Sequence, residues 1–222
     1  DNIYNTLVKY EESHKVIVYL TELGFSMRDA LLIYNTYKKN TIMILENNIY
    51  RVIDDVEEIS FPKVDTIVHK KELNIDEDLR IKACVYYIMQ DLSFKNGDTY
   101  LNIEEIYESV CKYLGCSIEI NYLDSVLAEL NGDAKVMIID NKYYLQDIYE
   151  AQYNIVEKIR YLLEKEKHSY KKLDSKILAL ENDIGIKYNE QQKEAIKKAL
   201  ENNITIITGG PGTGKTTIIK AI

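Results

Sequence analysis

The sequence predicts a mostly α-helical protein that carries one small α+β module and closes on a strand, a glycine-rich loop and a helix. Three observations predict it. Apolar residues recur at three- and four-residue spacing through most of the 222 residues, and only two prolines, Pro62 and Pro211, interrupt them. One stretch reads as a hairpin, with Val136–Ile139 and Tyr143–Leu145 flanking the polar turn Asp140-Asn141-Lys142. The run GGPGTGKT at 209–216 follows the apolar segment around Ile204, Ile206 and Ile207 and precedes a helical pattern.

Taken in order, Leu20, Leu23, Ala30, Ile33, Tyr34 and Tyr37 outline two short helices around a turn at Gly24. Short helices follow, with polar breaks at Glu46–Asn48, Asp54–Glu58 and Asn74–Asp78. A longer helix buries Ile81, Val85, Ile88 and Met89, so that 1–95 forms one helical region. Between 96 and 146 two helices carry Ile103, Ile106, Tyr107, Val110, Cys111 and Leu114, then Leu123, Val126, Leu127 and Leu130. Two helices followed by a hairpin are a winged-helix pattern, or equally a small packing module that touches no DNA. Connecting helices span 147–184, with Ile148, Ile155, Ile159 and Leu162 on one face, and Gly185 opens the last segment, 185–222.

Composition bounds the class. Hydrophobic residues at 46% and charged residues at 29% suit a soluble globular protein. No apolar run approaches the roughly 20 residues of a membrane span, and the opening DNIYNTLVKYEESHK has no signal-peptide core. No membrane partner is expected. Three cysteines, Cys84, Cys111 and Cys116, make no disulfide framework, so a reducing, cytoplasmic setting is expected. Cys111 and Cys116 could be half a metal site, but the apolar stripe that carries Cys111 makes buried thiols the expectation. The net charge of -8 opposes phosphate-backbone binding in general, yet residues 185–222 hold six lysines against three glutamates, a balance of +3. The lysines at 165, 167, 171 and 172 read as a solvated face or linker.

The chemistry sits in the last segment. Asn189 can cap a helix with Ala195, Ile196, Ala199 and Leu200 on its apolar face. The loop Gly209, Gly210, Pro211, Gly212, Thr213, Gly214, Lys215, Thr216 fits G-x-x-x-x-G-K-[ST], with Thr217 beyond it. Gly212 and Gly214 permit backbone conformations and close approach that a Cβ forbids. Loop N–H groups then wrap phosphates, Lys215 adds charge at the β- and γ-phosphates, and Thr216 offers its hydroxyl to Mg²⁺. The expected cofactors are ATP and Mg²⁺. Gln192 can close a capping box with Asn189, and its position ahead of the loop also suits reading an adenine edge.

With these residues the sequence resembles the RecD/TraA branch of superfamily 1 DNA helicases. ITGGPGTGKTT at 207–217, with Gln192 and Ala195 ahead of it, carries the specific part. LGFSMRDALLIYNTY, LENNIY, EISFPKVDTI, DEDLRIKACVYYIM and GDTYL resemble the helical N-terminal region of the stand-alone RecD-like members. The resemblance implies helix-hairpin-helix elements in 1–95, a winged-helix-like module in 96–146, and at 185–222 the start of a RecA-like ATPase domain. It also implies an ATP-dependent helicase that moves 5′ to 3′ on single-stranded or tailed duplex DNA in recombination and repair. The chain departs from the family pattern G-[IL]-G-F, holding Glu58, Ile59, Ser60 and Phe61 there; Lys38 and Ile49 stand where glycine and proline are common. With Glu57 and Glu58 beside it, that hairpin is expected to be structural, leaving Lys63, Lys70 and Lys71 as the rival route to DNA.

Read literally, the sequence is an N-terminal fragment that ends on the first helix after the loop, without the downstream carboxylate, arginines and second lobe of a motor, and it is expected not to hydrolyse ATP. Two alternatives stand beside the helicase reading: an Upf-like RNA helicase, and a DNA-binding or scaffold subunit of an exodeoxyribonuclease complex with a regulatory loop. The acidic N-terminal half also suits a protein partner. The 19 tyrosines could stack on bases, but Tyr34, Tyr37 and Tyr107 fall on apolar faces and are expected in the core.

Overall fold

The computed structural model describes the backbone of residues 2–222 and the side chains of residue 11 and of residues 13–222. The chain divides into two compact units, residues 1–149 and 150–222.

The first unit is helical apart from one hairpin. Its helices are α1 (Asn2–Leu23), α2 (Met27–Tyr37), α3 (Thr41–Asn47), α4 (Arg51–Asp55), α5 (Phe61–Lys70), α6 (Glu77–Asn96), α7 (Ile103–Leu114) and α8 (Ile120–Gly132), with a 3₁₀ turn at Lys38–Asn40. The strands are β1 (Val136–Ile139) and β2 (Lys142–Leu145). The first helix is longer than expected, 22 residues, and Gly24 follows it at φ +114°, where a side chain would be strained. Ser26 then starts α2: its hydroxyl accepts the Asp29 N–H at 3.2 Å and donates to the Asp29 carboxylate at 2.8 Å. Asp76 caps α6 by accepting the Asp78 N–H at 3.0 Å, and Gly97 ends that helix in the left-handed region at φ +74°. The polar breaks in the sequence are therefore caps and turns.

One apolar core runs through this unit, from Val16, Leu20 and Ile33 through Phe61, Val85 and Met89 to Ile106, Leu127, Val136 and Leu145. Its α6 helix packs against α7 and α8 and joins the early helices to the hairpin. Tyr34, Tyr37 and Tyr107 are half-buried against this core, as expected of aromatics on apolar faces. The hairpin turns through Asp140 and Asn141, both at positive φ (+48° and +59°), the conformation that matches the twist of antiparallel strands. Leu101 adds an isolated antiparallel bridge to Tyr143, with reciprocal N–H to carbonyl bonds of 2.9 and 3.0 Å. Nothing in the sequence around Leu101 announces this third strand position.

Helix α9 (Gln146–Glu164) begins at the end of the first unit, and the second unit continues with α10 (Leu173–Ile184), α11 (Glu190–Glu201) and the single turn α12 (Lys215–Ile219). Leu173, Ile177, Tyr188, Ile196 and Ile218 form its small core. Two expectations are corrected here. The strand predicted around Ile204, Ile206 and Ile207 is not formed, and Ile206 is 84% exposed. A lone strand leaves its N–H and C=O groups without a ladder, so apolar composition cannot hold it extended as sheet. The predicted apolar face of α9 is also largely uncovered: Ile148 packs on the first core, but Ile155 and Ile159 are exposed.

The thiols are graded rather than uniformly buried. Cys84 is buried, Cys111 half-buried and Cys116 exposed in the loop after Gly115. Cys116 therefore corrects the expectation of buried thiols: it lies past the end of the apolar stripe. No group of three or more His, Cys, Asp or Glu side chains among the described residues is placed to hold a metal ion. No helix among the described residues is long and apolar enough to cross a membrane.

Candidate nucleotide site

The glycine-rich loop lies between α11 and α12, and both helices are anchored below it by Ile196 and Ile218, which are buried in one core. Helix α11 starts at a reciprocal capping box. The Asn189 side chain accepts the Gln192 N–H at 2.8 Å, and the Gln192 side chain accepts the Asn189 N–H at 3.0 Å. Below this end, Glu181 of α10 is buried, accepts the Tyr188 N–H at 2.7 Å and pairs with Lys193 at 3.4 Å. The residues leading into the cap are thus tied down from a second helix.

The loop uses its glycines for two physical reasons. Gly212 and Gly214 take φ of +76° and +83°. Gly209 and Gly214 admit neighbours that a Cβ would exclude: an added Cβ would stand 2.7 Å from Thr213 Oγ1 at Gly209 and 2.6 Å from Gln192 Nε2 at Gly214. The loop folds on itself through Thr213 Oγ1, which donates to the Gly210 carbonyl at 2.9 Å. Lys215 Nζ donates to the carbonyls of Gly209 and Gly210 at 2.5 and 2.8 Å. Its ammonium therefore lies within the concavity of the loop, held by neutral acceptors that an anion could replace.

A cavity of about 530 Å³ opens at this point, lined by Gln191, Gln192, Ile207, Thr208, Gly209, Gly212, Thr213, Gly214 and Lys215 among others. Of the residues singled out in the sequence, the structure brings Gln192, Gly209, Gly212, Thr213, Gly214 and Lys215 to this cavity. Gly210 contributes its carbonyl to Lys215. Pro211, Thr216 and Thr217 are not part of the lining, and the Thr216 side chain is exposed on the first turn of α12. The contact of Gln192 Nε2 with the Thr213 carbonyl, 3.2 Å, was not legible in the sequence, because it joins residues 21 apart across a loop.

In the first unit the start of α2 is paired with the turn before α5 and with the first turn of α5. Arg28 forms an exposed ion pair with Glu58, and Lys63 bonds Asp29 at 3.0 Å. Burial would raise the Asp29 carboxyl, but the bonds from Ser26 and Lys63 and the Lys63 charge outweigh it and hold it below the usual carboxylate range. The two basic side chains nearest the hairpins are thus matched to carboxylates. An open cavity of about 600 Å³ beside the second hairpin is lined by Asp54, Asp55, Glu57, Glu58 and Asp91, with Lys95 as its one basic side chain. Lys70 and Lys71 are exposed.

Comparison with known proteins agrees with the loop and with the helical region. Residues 9–100 match the ATP-dependent RecD2 DNA helicase HHH domain, and residues 192–222 match an AAA domain. The RecBCD enzyme subunit RecD of Buchnera aphidicola subsp. Schizaphis graminum is 33% identical over 162 residues, covering 64% of this chain and 25% of that protein. The ATP-dependent RecD2 DNA helicase of Deinococcus radiodurans is 20% identical over 219 residues, covering 94% of this chain and 30% of its own length. The RecD subunit from Buchnera aphidicola subsp. Acyrthosiphon pisum is 44% identical over 81 residues, 36% of this chain and 13% of that protein. The chain thus spans between an eighth and a third of the length of these relatives. The HHH-domain match, the AAA-domain match at the loop and the RecD relatives along the chain together support a RecD-like helicase.

Proposed function

We propose that this chain belongs to an ATP-driven DNA helicase, acting 5′ to 3′ on single-stranded or tailed duplex DNA, and that the loop 209–217 is its nucleotide site. The observation that carries the reading is Lys215: its ammonium lies in the concavity of the loop, bonded to the carbonyls of Gly209 and Gly210. Phosphate oxygens are stronger acceptors for an ammonium than neutral carbonyls, because both partners are then charged. A triphosphate entering the loop would take over these bonds, with loop N–H groups on the remaining oxygens. Thr216, exposed one residue further, would supply a hydroxyl ligand to Mg²⁺, which when bound offsets charge on the β- and γ-phosphates. Gln192 and Gln191 line the cavity on the side of α11, where the base would lie.

Hydrolysis needs more than this cavity offers. Its lining contains no Asp or Glu to hold the metal or orient a water. The 222 residues should therefore bind ATP without turning it over. The acidic first unit, with its hairpin cations matched to carboxylates, is read as a surface that meets protein more readily than DNA.

The test is calorimetric titration of ATP with Mg²⁺ into the chain and into Lys215→Ala. Saturable binding lost in the variant supports the reading; equal binding by both, or none by either, rejects it. Strand separation on 5′- and 3′-tailed duplexes, with Lys215→Ala as control, tests polarity. Preference for the 3′-tailed substrate would reverse the assigned direction.

A further inference from the structure

Gln192 makes more contacts than a capping residue needs. Its Oε1 accepts the Asn189 N–H at 3.0 Å, which completes the cap of α11. Its Nε2 donates to the carbonyl of Thr213 at 3.2 Å, within the glycine loop. The orientation of the amide is chemically unambiguous, since an N–H faces one end and a carbonyl the other. The same Nε2 lies 2.6 Å from the ideal Cβ position of Gly214, closer than a real Cβ would allow. Gly214 thus has two duties: its φ of +83°, and the space it leaves for this side chain.

We infer that Gln192 is a positioning residue for the phosphate loop, a brace that ties the loop at Thr213 to the capped end of α11. The inference rests on the nucleotide reading of this site and assigns Gln192 a duty separate from contact with the base. The loop has few other restraints. Thr213 and Lys215 bond carbonyls of the loop itself, at Gly209 and Gly210, and so do not fix it to the body of the unit. The flanking segment forms no ladder, and what holds it lies ahead of the loop: Ile207 packs on the small core, and Thr205 Oγ1 donates to the Lys198 carbonyl of α11 at 3.0 Å. Within 209–214, among the described residues, the Gln192 amide is the side-chain bond that holds the loop to α11. Holding loop N–H groups in place before phosphate arrives raises affinity by removing an ordering cost from the binding step. The amide retains one N–H and one lone pair, enough for a base edge as well, so the two duties can be measured separately.

The discriminating probe is inorganic tripolyphosphate, which has the phosphates of ATP and no base. Tripolyphosphate, ATP and GTP, each with Mg²⁺, are titrated into the full chain, into Gln192→Met and into Asn189→Ala. Gln192→Met is uncharged and similar in length, and it removes the brace together with half the cap; Asn189→Ala weakens the cap alone. The brace predicts that Gln192→Met loses roughly three- to tenfold affinity for tripolyphosphate, the value of one hydrogen bond, and at least as much for ATP and GTP. Asn189→Ala should lose clearly less than Gln192→Met, because it loosens the first turn that carries Gln192 but keeps the amide that bonds Thr213. Unchanged tripolyphosphate binding by Gln192→Met, with only the preference for ATP over GTP lost, overturns the inference and leaves Gln192 as a base reader. Equal losses in both variants also overturn it, since the cap alone would then explain them. Failure of the parent chain to bind either tripolyphosphate or ATP removes the nucleotide reading itself.

Discussion

Arg80 of α6 grips Asp65 of α5 with two nearly parallel hydrogen bonds, Nε to Oδ1 at 2.7 Å and Nη2 to Oδ2 at 2.9 Å. Both side chains are close to fully buried, with 8% and 12% of their surface exposed. The Tyr50 hydroxyl donates to the same carboxylate at 2.6 Å, and Arg80 reaches Glu77 at 2.8 Å. Three segments of the helical region are thus tied through one carboxylate, directly beside the aromatic stack of Tyr50 on Phe61.

Removing one partner of such a pair strands a buried charge. Arg80→Met should lower the stability of the first unit by roughly 3–5 kcal/mol, whereas Asp65→Leu combined with Arg80→Met should recover part of that loss. Urea unfolding followed by far-UV circular dichroism measures both. A loss below about 1 kcal/mol in the single variant would show that the pair contributes no more than a surface bridge.

The same carboxylate sets an acid limit. Burial pushes the Asp65 carboxyl up, but the bonds from Arg80 and Tyr50 and the Arg80 charge outweigh it and hold the group below its ordinary range. A depressed folded-state pKa means that the stabilisation is complete above the unfolded value, about 3.9, and is lost as pH falls through the folded value. The thermal midpoint of the first unit should therefore drop below about pH 4. Asp65→Asn, less stable at neutral pH, should show a shallower decline over that window. Parallel profiles for the two chains would refute the assignment.

The three thiols should differ in rate. Burial, followed by the charge of Asp65, pushes the Cys84 thiol up to about 12, so it holds almost no thiolate at neutral pH. Cys116 is exposed. With an aromatic disulfide reagent at pH 8, the folded chain should release one equivalent quickly, from Cys116, while Cys84 reacts only after denaturant is added. Cys116→Ser should abolish the fast phase; if it persists, the reactive thiol has been misassigned.

The second hairpin is predicted to be electrostatically closed to DNA. Glu57→Lys with Glu58→Lys should raise affinity for a tailed duplex and steepen its salt dependence by roughly two phosphate contacts. Because the Arg28–Glu58 pair is exposed, stability should change by less than about 1 kcal/mol. Fluorescence anisotropy across a potassium chloride series reads the slope. Tight, steeply salt-dependent binding already present in the parent chain would mean that this surface serves DNA as it stands.

Much of the architecture was legible because it is local. Helical spacing, the Gly24 turn, the Asp140–Asn141 hairpin and the Asn189–Gln192 cap each depend on residues within a few positions of one another. The loop at 209–216 was equally plain, since its glycines and lysine are dictated by the backbone of a single turn. Alone, the sequence therefore determined the mostly helical class, the hairpin and the glycine loop at 209–216. Tertiary structure decided what depends on partners distant in the chain. It withheld the strand around Ile206, because a ladder needs a neighbour that apolar residues cannot supply by themselves. It left Ile155 and Ile159 of α9 exposed, since amphipathicity specifies a face but not what covers it. It also matched Arg80 with Asp65 and Gln192 with Thr213, pairs 15 and 21 residues apart, whose meeting depends on how helices and loops pack rather than on any spacing along the chain.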